Sequence, residues 1–173
     1  MLLGSVIFGS GCANSGNREG ESRVVKAGDT IKVDYTGKLE NGTVFDTSKK
    51  EVAKQAGIYV SDRNYAPLTF VAGSGQMIKG FDEGVIGMKI GEEKTIAVPP
   101  SDAYGEYNES RIQAISFQEL NLTRTPKAGE VLGDMYGNQF KVIAVNNTHI
   151  TLDANHELAG KTLIFDIKLI SLE

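Results

Sequence analysis

The sequence predicts an α+β fold built mainly from antiparallel strands around one short helix. Short segments that alternate apolar and polar residues are separated by turn residues, which is typical of antiparallel strands. One segment, Met77–Met88, instead has apolar residues at helical spacing. The last predicted strand, Thr162–Ile170, is apolar on both faces, so we expect it in the middle of its sheet.

The first half of the chain contains three of these strands. Residues 30–36 alternate, with Ile31, Val33 and Tyr35 on one face. The dipeptide Asn41-Gly42 predicts a tight hairpin turn after this strand, because glycine readily adopts a positive φ. Residues 49–66 are less regular and are predicted to form a surface insertion with a short helix. A strand at residues 68–71 follows them.

The second half begins with the predicted helix Met77–Met88 and a strand at residues 94–98, which Pro99-Pro100 ends because proline cannot donate to a strand ladder. Residues 106–130 lose the alternation and are predicted to be polar loops. Residues 139–145 and 149–152 then predict a hairpin across Asn146-Asn147.

This change of pattern after residue 105 predicts an inserted domain. The central C-terminal strand needs partners, and the strands that suit it lie before the change. We therefore expect one domain from residues 24–105 and 154–173, interrupted by an insertion at residues 106–153. Residues 1–23 are predicted to be a signal-like segment and a flexible linker.

Composition excludes several classes of function. The 173-residue chain has a net charge of −4, which gives no basic surface for nucleic acid. Two histidines, one cysteine and no tryptophan leave little material for a metal site, and a single cysteine cannot form a disulfide within the chain. We expect no metal and no cofactor.

The cysteine follows an apolar run, Leu2–Phe8, and three small residues. This pattern looks like the end of a lipoprotein signal peptide with Cys12 as lipid acceptor, and it predicts an extracytoplasmic, membrane-anchored protein. The alternative is an uninformative N-terminus on a cytoplasmic protein. Four glycosylation sequons in predicted turns favour export, and they begin at Asn41, Asn108, Asn121 and Asn146.

Four short stretches carry aromatic and small residues that suggest one apolar pocket. They are Val33-Asp34-Tyr35-Thr36-Gly37, Phe45-Asp46, Gln76-Met77-Ile78-Lys79-Gly80-Phe81 and Ala103-Tyr104-Gly105. In this order they resemble the FKBP-type peptidyl-prolyl cis-trans isomerases. The motif Asn155-His156-Glu157-Leu158-Ala159-Gly160 resembles the point where SlyD-like, archaeal short-type members return to the isomerase domain after an insert-in-flap domain.

This resemblance implies an antiparallel half-barrel sheet wrapped around a short helix, with a small all-β domain in the flap. It implies that Tyr104 and the Ile78 backbone N–H hold substrate carbonyls, that Phe81 forms the pocket floor, where many relatives carry tryptophan, and that Asp46 orients Tyr35. The implied catalytic residues are Tyr35, Phe45, Asp46, Ile78, Phe81, Tyr104 and Phe165. The implied substrate-binding residues are Leu68, Met77, Ala103 and Leu158, with Leu68 standing where an aromatic residue is common.

The resemblance further implies a monomer that acts on proline-containing unfolded or partly folded polypeptides and binds macrolide inhibitors. Taken singly, each aromatic residue would fit an ordinary core, and Asp46 would fit a turn. The competing class of function is a non-catalytic holdase chaperone or peptide-binding module on the same scaffold. In either class the inserted domain would capture unfolded chains through exposed strand edges and apolar surface. We expect an isomerase whose inserted domain adds chaperone activity, because it raises the local concentration of chain segments next to the pocket.

Overall fold

A computed structural model describes residues 23–120 and 124–173, and within them it contains nine strands and three short helices. Cys12 and Asn121 lie outside the described residues. Two single-turn 3-10 helices, Pro100–Asp102 and Glu109–Arg111, also occur. The elements are β1 Thr30–Leu39, β2 Val44–Thr47, α1 Lys50–Gln55, β3 Leu68–Val71, α2 Lys79–Gly84, β4 Glu93–Val98, β5 Ile112–Ser116, α3 Phe117–Leu120, β6 Val131–Gly133, β7 Gln139–Val145, β8 His149–Asp153 and β9 Leu163–Leu172.

The first sheet is antiparallel and has the strand order β2-β1-β9-β4, with β3 also paired to β1. Strand β1 is ten residues long, so its first half pairs with β3 and its second half with β2 along the same edge. Strand β9 lies between β1 and β4, with Tyr35 opposite Ile167 and Ile96 opposite Phe165. The α+β fold and the internal position of the last strand are therefore confirmed.

The core of this sheet lies on the face that α2 covers. Burial alternates along β1 and β9, because successive side chains of a strand point to opposite faces. Glycines let the helix approach β4 closely. A β-carbon on Gly80 would lie 2.4 Å from Val98 Cγ1, and one on Gly84 would lie 2.6 Å from Ile96 Cδ1.

Helix α2 is shorter than the predicted helix over Met77–Met88. It ends at Gly84, and tight turns follow in which Ile86 N–H bonds to Glu83 and Gly87 adopts a φ of 83°. Ile86, which the helical spacing placed on the apolar face, is 38% exposed. The prediction overran the helix because apolar residues continue at helical spacing through the turn that Gly87 closes.

The second sheet has the order β5-β8-β7-β6 and a small core of its own around Val142, Ile150 and Leu152. The predicted hairpin of β7 and β8 is present, and the Asn146 side chain accepts hydrogen bonds from Thr148 N and His149 N in its turn. The prediction of loops throughout residues 106–130 is wrong, because β5 and α3 lie there. Strand β5 pairs along its full length with β8.

The first hairpin is also present, but its connection is longer than the predicted two-residue turn. Strand β1 ends at Leu39 and β2 begins at Val44, so four residues connect them. Gly42 has a φ of 85°, and the Asn41 side chain accepts a hydrogen bond from Thr43 N. Asparagine and glycine thus act as expected, within a wider loop.

The two connections between the sheets run side by side. Gly160 N–H donates to the Gly105 carbonyl oxygen at 2.9 Å. Further along, the Tyr107 hydroxyl donates to Asp153 Oδ2 at 2.8 Å. Within residues 23–120 and 124–173, none of the helices has the length and hydropathy needed to cross a membrane.

Candidate active site

The floor of the candidate site consists of three aromatic rings from three different elements. Tyr35 comes from β1, Phe81 from α2 and Phe165 from β9, and all three are buried. The Phe81 ring lies edge-on to both others, with centroids 5.9 Å from Tyr35 and 5.1 Å from Phe165. Leu158, which follows the second sheet, is buried in the same core cluster.

Half-buried side chains surround this floor and leave part of their surface accessible. Phe45 on β2 lies edge-on to Phe165, with centroids 5.7 Å apart. The absence of a side chain at Gly37 makes this pair possible, since a β-carbon there would lie 2.6 Å from Phe45 Cζ. The other predicted residues of this group, all packed against the core cluster, are Leu68, Met77, Ile78 and Ala103.

One polar network borders the floor. The Tyr35 hydroxyl donates to Asp46 Oδ2 at 2.7 Å, and Arg63 Nη1 lies 2.6 Å from Asp46 Oδ1. Arg63 Nη2 also donates to the Tyr35 hydroxyl oxygen at 3.2 Å. The guanidinium therefore binds both groups at once through two different nitrogens of its planar fork of donors.

The contacts of this network shift the pKa values of Tyr35 and Arg63. Burial and the hydrogen bond to Asp46 raise the pKa of Tyr35 to about 12. The bond to Asp46 likewise raises the pKa of Arg63. Tyr35 is therefore a neutral donor at physiological pH, and Arg63 carries a positive charge beside the carboxylate.

Sequence analysis did not identify Arg63. It lies in the irregular segment between α1 and β3, where stacked aromatic rings support it. The Arg63 guanidinium lies 5.2 Å from the Tyr65 ring centroid, and Tyr65 stacks on Tyr59 with centroids 5.6 Å apart. The Tyr65 hydroxyl accepts a hydrogen bond from Val60 N at 3.0 Å, which fixes the turn of this loop.

Tyr104 lies just after the 3-10 turn that follows β4, and its side chain is 41% exposed. Burial raises the pKa of Tyr104, and the carboxylates of Asp46 and Glu157 add to this effect. The negative charge of Asp46 thus contributes to the raised pKa of both Tyr35 and Tyr104. Lys79 Nζ binds Asp102 Oδ1 at 2.9 Å and ties this turn to the start of α2.

Several hydrogen-bond donors at the site have no partner among the described residues, and two of them belong to predicted substrate contacts. These two are the Tyr104 hydroxyl and the backbone N–H of Ile78, which immediately precedes α2. The hydroxyls of Tyr35, Tyr65 and Tyr107 have partners, whereas those of the exposed Tyr59 and Tyr136 have none among the described residues. The Tyr104 hydroxyl and the Ile78 N–H could therefore each donate a hydrogen bond to a ligand carbonyl.

The structure brings the predicted site residues together from chain positions that are far apart. Nine of the eleven belong to or pack against one core cluster, namely Tyr35, Phe45, Leu68, Met77, Ile78, Phe81, Ala103, Leu158 and Phe165. The remaining two are Asp46, which binds Tyr35, and Tyr104, which follows Ala103. Phe70 was missed, although its ring lies 5.8 Å from that of Phe81; its position in the alternating segment of β3 was the available signal.

A groove of about 990 Å³ lies beside the site rather than over its aromatic floor. It is lined by residues of β6 and β7 and by residues of the connection from β8 to β9, including His156. His156 stacks on Tyr104, with ring centroids 3.8 Å apart. The groove therefore reaches His156, which in turn contacts Tyr104.

The chain was compared with known proteins. Residues 21–170 match the family model described as FKBP-type peptidyl-prolyl cis-trans isomerase. A short-type peptidyl-prolyl cis-trans isomerase of Methanocaldococcus jannaschii is 44% identical over 84% of this chain and 92% of its own length. The isomerase SlyD of Helicobacter pylori is 34% identical over 69% of this chain and 68% of its own.

A third relative matches a shorter part. The FK506-binding protein 4 of Gibberella zeae is 46% identical over 50% of this chain, which corresponds to 14% of that larger protein. The match to the short-type isomerase, in contrast, spans both sheets. By its fold and by these matches, the chain belongs to the FKBP-type peptidyl-prolyl cis-trans isomerases, with short-type and SlyD proteins among its relatives.

Proposed function

We propose that this isomerase binds the prolyl ring of a polypeptide over Phe81 and Phe165 and holds the adjacent carbonyl groups with Tyr104 and Ile78. The observation that carries this proposal is the juxtaposition of a buried aromatic floor with two unpartnered donors. The floor provides an apolar contact for the ring, and the donors provide orientation. The residues packed around the floor are only half-buried, so they offer accessible apolar surface to a chain segment.

Rotation about the bond before proline needs no nucleophile. The barrier of about 18–20 kcal/mol arises from amide resonance, which keeps the bond planar and places extra charge on its oxygen. An apolar site disfavours the polar planar form, because it replaces water that stabilises that charge. A site shaped for the twisted amide lowers the barrier further, since only contacts stronger in the transition state accelerate the reaction.

Asp46 acts in this proposal through its contacts rather than as a base, since amide rotation transfers no proton. It accepts the Tyr35 hydroxyl hydrogen bond and pairs with Arg63, so the Tyr35 ring is fixed against Phe81. The raised pKa of Tyr35 keeps its hydroxyl protonated and donating. The network therefore stabilises one wall of the pocket.

The substrates of this site are proline-containing segments of unfolded or partly folded polypeptides. One relative carries FK506 in its name, and we extend macrolide binding to this chain on the same aromatic floor. Phe81 gives a smaller floor than a tryptophan would, and it buries less ligand surface. We therefore expect macrolides to bind this chain more weakly than members with tryptophan at this position.

The test is a protease-coupled isomerisation assay on an Xaa-Pro tetrapeptide. Wild-type protein is expected to shorten the uncatalysed time of tens of seconds. Tyr104→Phe removes one free donor and is expected to lower kcat/KM about tenfold, the effect of losing one hydrogen bond in the transition state. Tyr136→Phe, on an 83% exposed side chain of the second sheet, is the matched control. Folded wild-type protein without any acceleration would leave the holdase alternative.

We further propose that residues 106–153 form a chaperone domain that binds unfolded chains. Large apolar side chains are exposed at and beside the β6–β7 turn, where Met135 is 90%, Tyr136 83% and Val131 59% accessible. Exposed apolar groups of this kind suit contacts with unfolded chains. The groove beside β6 and β7 leads from this domain toward Tyr104, so a bound chain would be held near the pocket.

Deleting residues 106–153 tests this division of labour. We expect the shortened protein to isomerise short peptides at a near-normal rate but to act more weakly on a proline-limited refolding protein. The deletion joins Gly105 to Ala154 through a short added loop, and the hydrogen bond between Gly160 and Gly105 holds the two flanking segments together. Equal loss on both substrates would contradict the proposal.

A further inference from the structure

Tyr104 and His156 lie face to face on the molecular surface. Their ring centroids are 3.8 Å apart and their planes differ by 2°. Tyr104 belongs to the connection that leaves the first sheet, and His156 belongs to the connection that returns to it from β8. The two rings therefore meet across the entrance to the second sheet.

The imidazole is held by its own backbone. Leu158 N–H donates to His156 Nδ1 at 3.1 Å, and Leu158 is buried in the core cluster of the first sheet. Since Nδ1 accepts this bond, the proton of the neutral ring is on Nε2. The exposed His156 ring is thus held by a hydrogen bond to Leu158, a buried residue two positions further along the chain.

The backbone around His156 is also fixed to the segment that follows Tyr104. Asn108 N–H donates to Asn155 Oδ1 at 3.0 Å, and Asn155 Nδ2 donates back to the Asn108 carbonyl oxygen at 2.9 Å. Ala154 N–H donates to the Arg111 carbonyl oxygen at 3.1 Å. These three hydrogen bonds join the two connections, and they hold the imidazole in place over Tyr104.

We infer that His156 is a positioning residue that fixes the Tyr104 ring and so aims its hydroxyl at the substrate. This inference rests on the proposed role of Tyr104 as a substrate donor. A tyrosine that is 41% exposed and has no partner for its hydroxyl among the described residues would otherwise sample several rotamers. Stacking on an anchored ring removes that freedom before the substrate arrives, and such preorganisation favours the transition state.

Two substitutions distinguish the effect of the His156 ring from the effect of its hydrogen bond to Leu158 N–H. His156→Phe keeps an aromatic face for Tyr104 but cannot accept from Leu158 N–H. His156→Asn keeps an acceptor for the N–H two residues ahead, as asparagine does in turns, but it has no ring. Each is made in wild-type protein and in Tyr104→Phe, and kcat and KM are measured on an Xaa-Pro tetrapeptide.

We expect His156→Phe to stay within about twofold of wild type and His156→Asn to lower kcat about three- to tenfold with KM unchanged, the range for one lost aromatic pair. In the Tyr104→Phe background, His156→Asn should have no further effect, because the hydroxyl that it positions is absent. NMR of the Tyr104 ring protons should show ring-current shifts that persist in His156→Phe and vanish in His156→Asn.

Three outcomes would overturn the inference. His156→Phe could slow the reaction as much as His156→Asn, His156→Asn could slow both backgrounds equally, or His156→Asn could leave kcat unchanged. The failure of the proposed function is a different result. It appears as wild-type protein that does not isomerise the peptide, or as Tyr104→Phe with full activity, whatever residue occupies position 156.

Discussion

The Tyr35 hydroxyl on β1 donates a 2.7 Å hydrogen bond to Asp46 Oδ2 on β2, and this bond joins the aromatic floor to its polar border. Strands β1 and β2 pair through Thr36 opposite Thr47, which brings the two side chains close. The Tyr35 ring meanwhile packs on Phe81. The Tyr35 side chain thus connects the first sheet, helix α2 and the polar network of Asp46 and Arg63.

This bond predicts a loss of stability at alkaline pH. Burial and Asp46 raise the pKa of Tyr35 from 10.0 to about 12, so the native state retains a proton that the unfolded state loses. The free energy of unfolding should therefore be unaffected below pH 10 and should fall between about pH 10 and 12, by up to roughly 2–3 kcal/mol. Urea unfolding of wild type and Tyr35→Phe across this range isolates the contribution, and parallel curves would contradict the prediction.

Substitution of Gly37 should damage the pocket. A β-carbon at this position would lie 2.6 Å from Phe45 Cζ and 2.9 Å from Phe165 Cε1, so Gly37→Ala must displace these rings. We expect a destabilisation of about 1–3 kcal/mol, as for an overpacked core, and a marked loss of kcat/KM. Gly133→Ala, whose nearest neighbour would lie 3.8 Å away, is the matched control in thermal unfolding and activity assays. Equal behaviour of the two variants would show that the rings yield without cost.

Arg63 should affect activity more than stability. Its ion pair with Asp46 is partly exposed, with 40% and 35% of the two side chains accessible, so Arg63→Met should change the free energy of unfolding by less than about 1 kcal/mol. The loss of both contacts leaves Tyr35 and Asp46 held to each other only by their own hydrogen bond, and we expect kcat/KM to fall about two- to fivefold. Arg63→Lys should restore little of this, because an ammonium lacks the fork that binds two groups. Full rescue by lysine would show that charge alone matters.

The exposed side chains of the second sheet should determine binding of unfolded chains. The double substitution Met135→Ser, Tyr136→Ser removes two residues that are 90% and 83% exposed, so folding should be unaffected. We expect suppression of aggregation of a reduced, unfolded protein to weaken severalfold while tetrapeptide isomerisation is retained. The control is Val60→Ser, a 55% exposed apolar residue near the pocket. Unchanged suppression would exclude this turn as the binding surface.

Lipidation of Cys12 remains a prediction from the sequence. A processed and acylated N-terminal cysteine has a distinct mass, so mass spectrometry of the native protein would detect it. Cys12→Ser should abolish that mass difference and release the protein from membranes. An unmodified N-terminus would leave the cytoplasmic alternative.

The parts of the fold that the sequence predicted well are those with one buried face. Strand β1 and strand β9 alternate strongly because each contributes every second residue to the core. Strand β5 escaped detection, since its five residues include Gln113 and Ala114 and its pairing partner β8 lies far along the chain. Helix α2 was placed correctly but extended too far, because spacing alone does not show that Gly87 turns the backbone.

The site shows the same division. Most of its aromatic residues were identified because they lie in short motifs, each only a few residues long. Arg63 and His156 were missed because their partners are distant in the chain, and neither an ion pair with Asp46 nor a stack on Tyr104 leaves a local periodic pattern. Only the fold brings these groups together.

The hydrogen bond between Gly160 and Gly105 joins the two chain segments that connect the first sheet to the second. The second sheet can therefore be exchanged, lengthened or lost in evolution while the first sheet keeps its shape, because the two connecting segments are already hydrogen-bonded where they leave the first sheet. The architecture thus allows the second sheet to change while the first sheet, which contains the aromatic floor of the candidate site, stays in place.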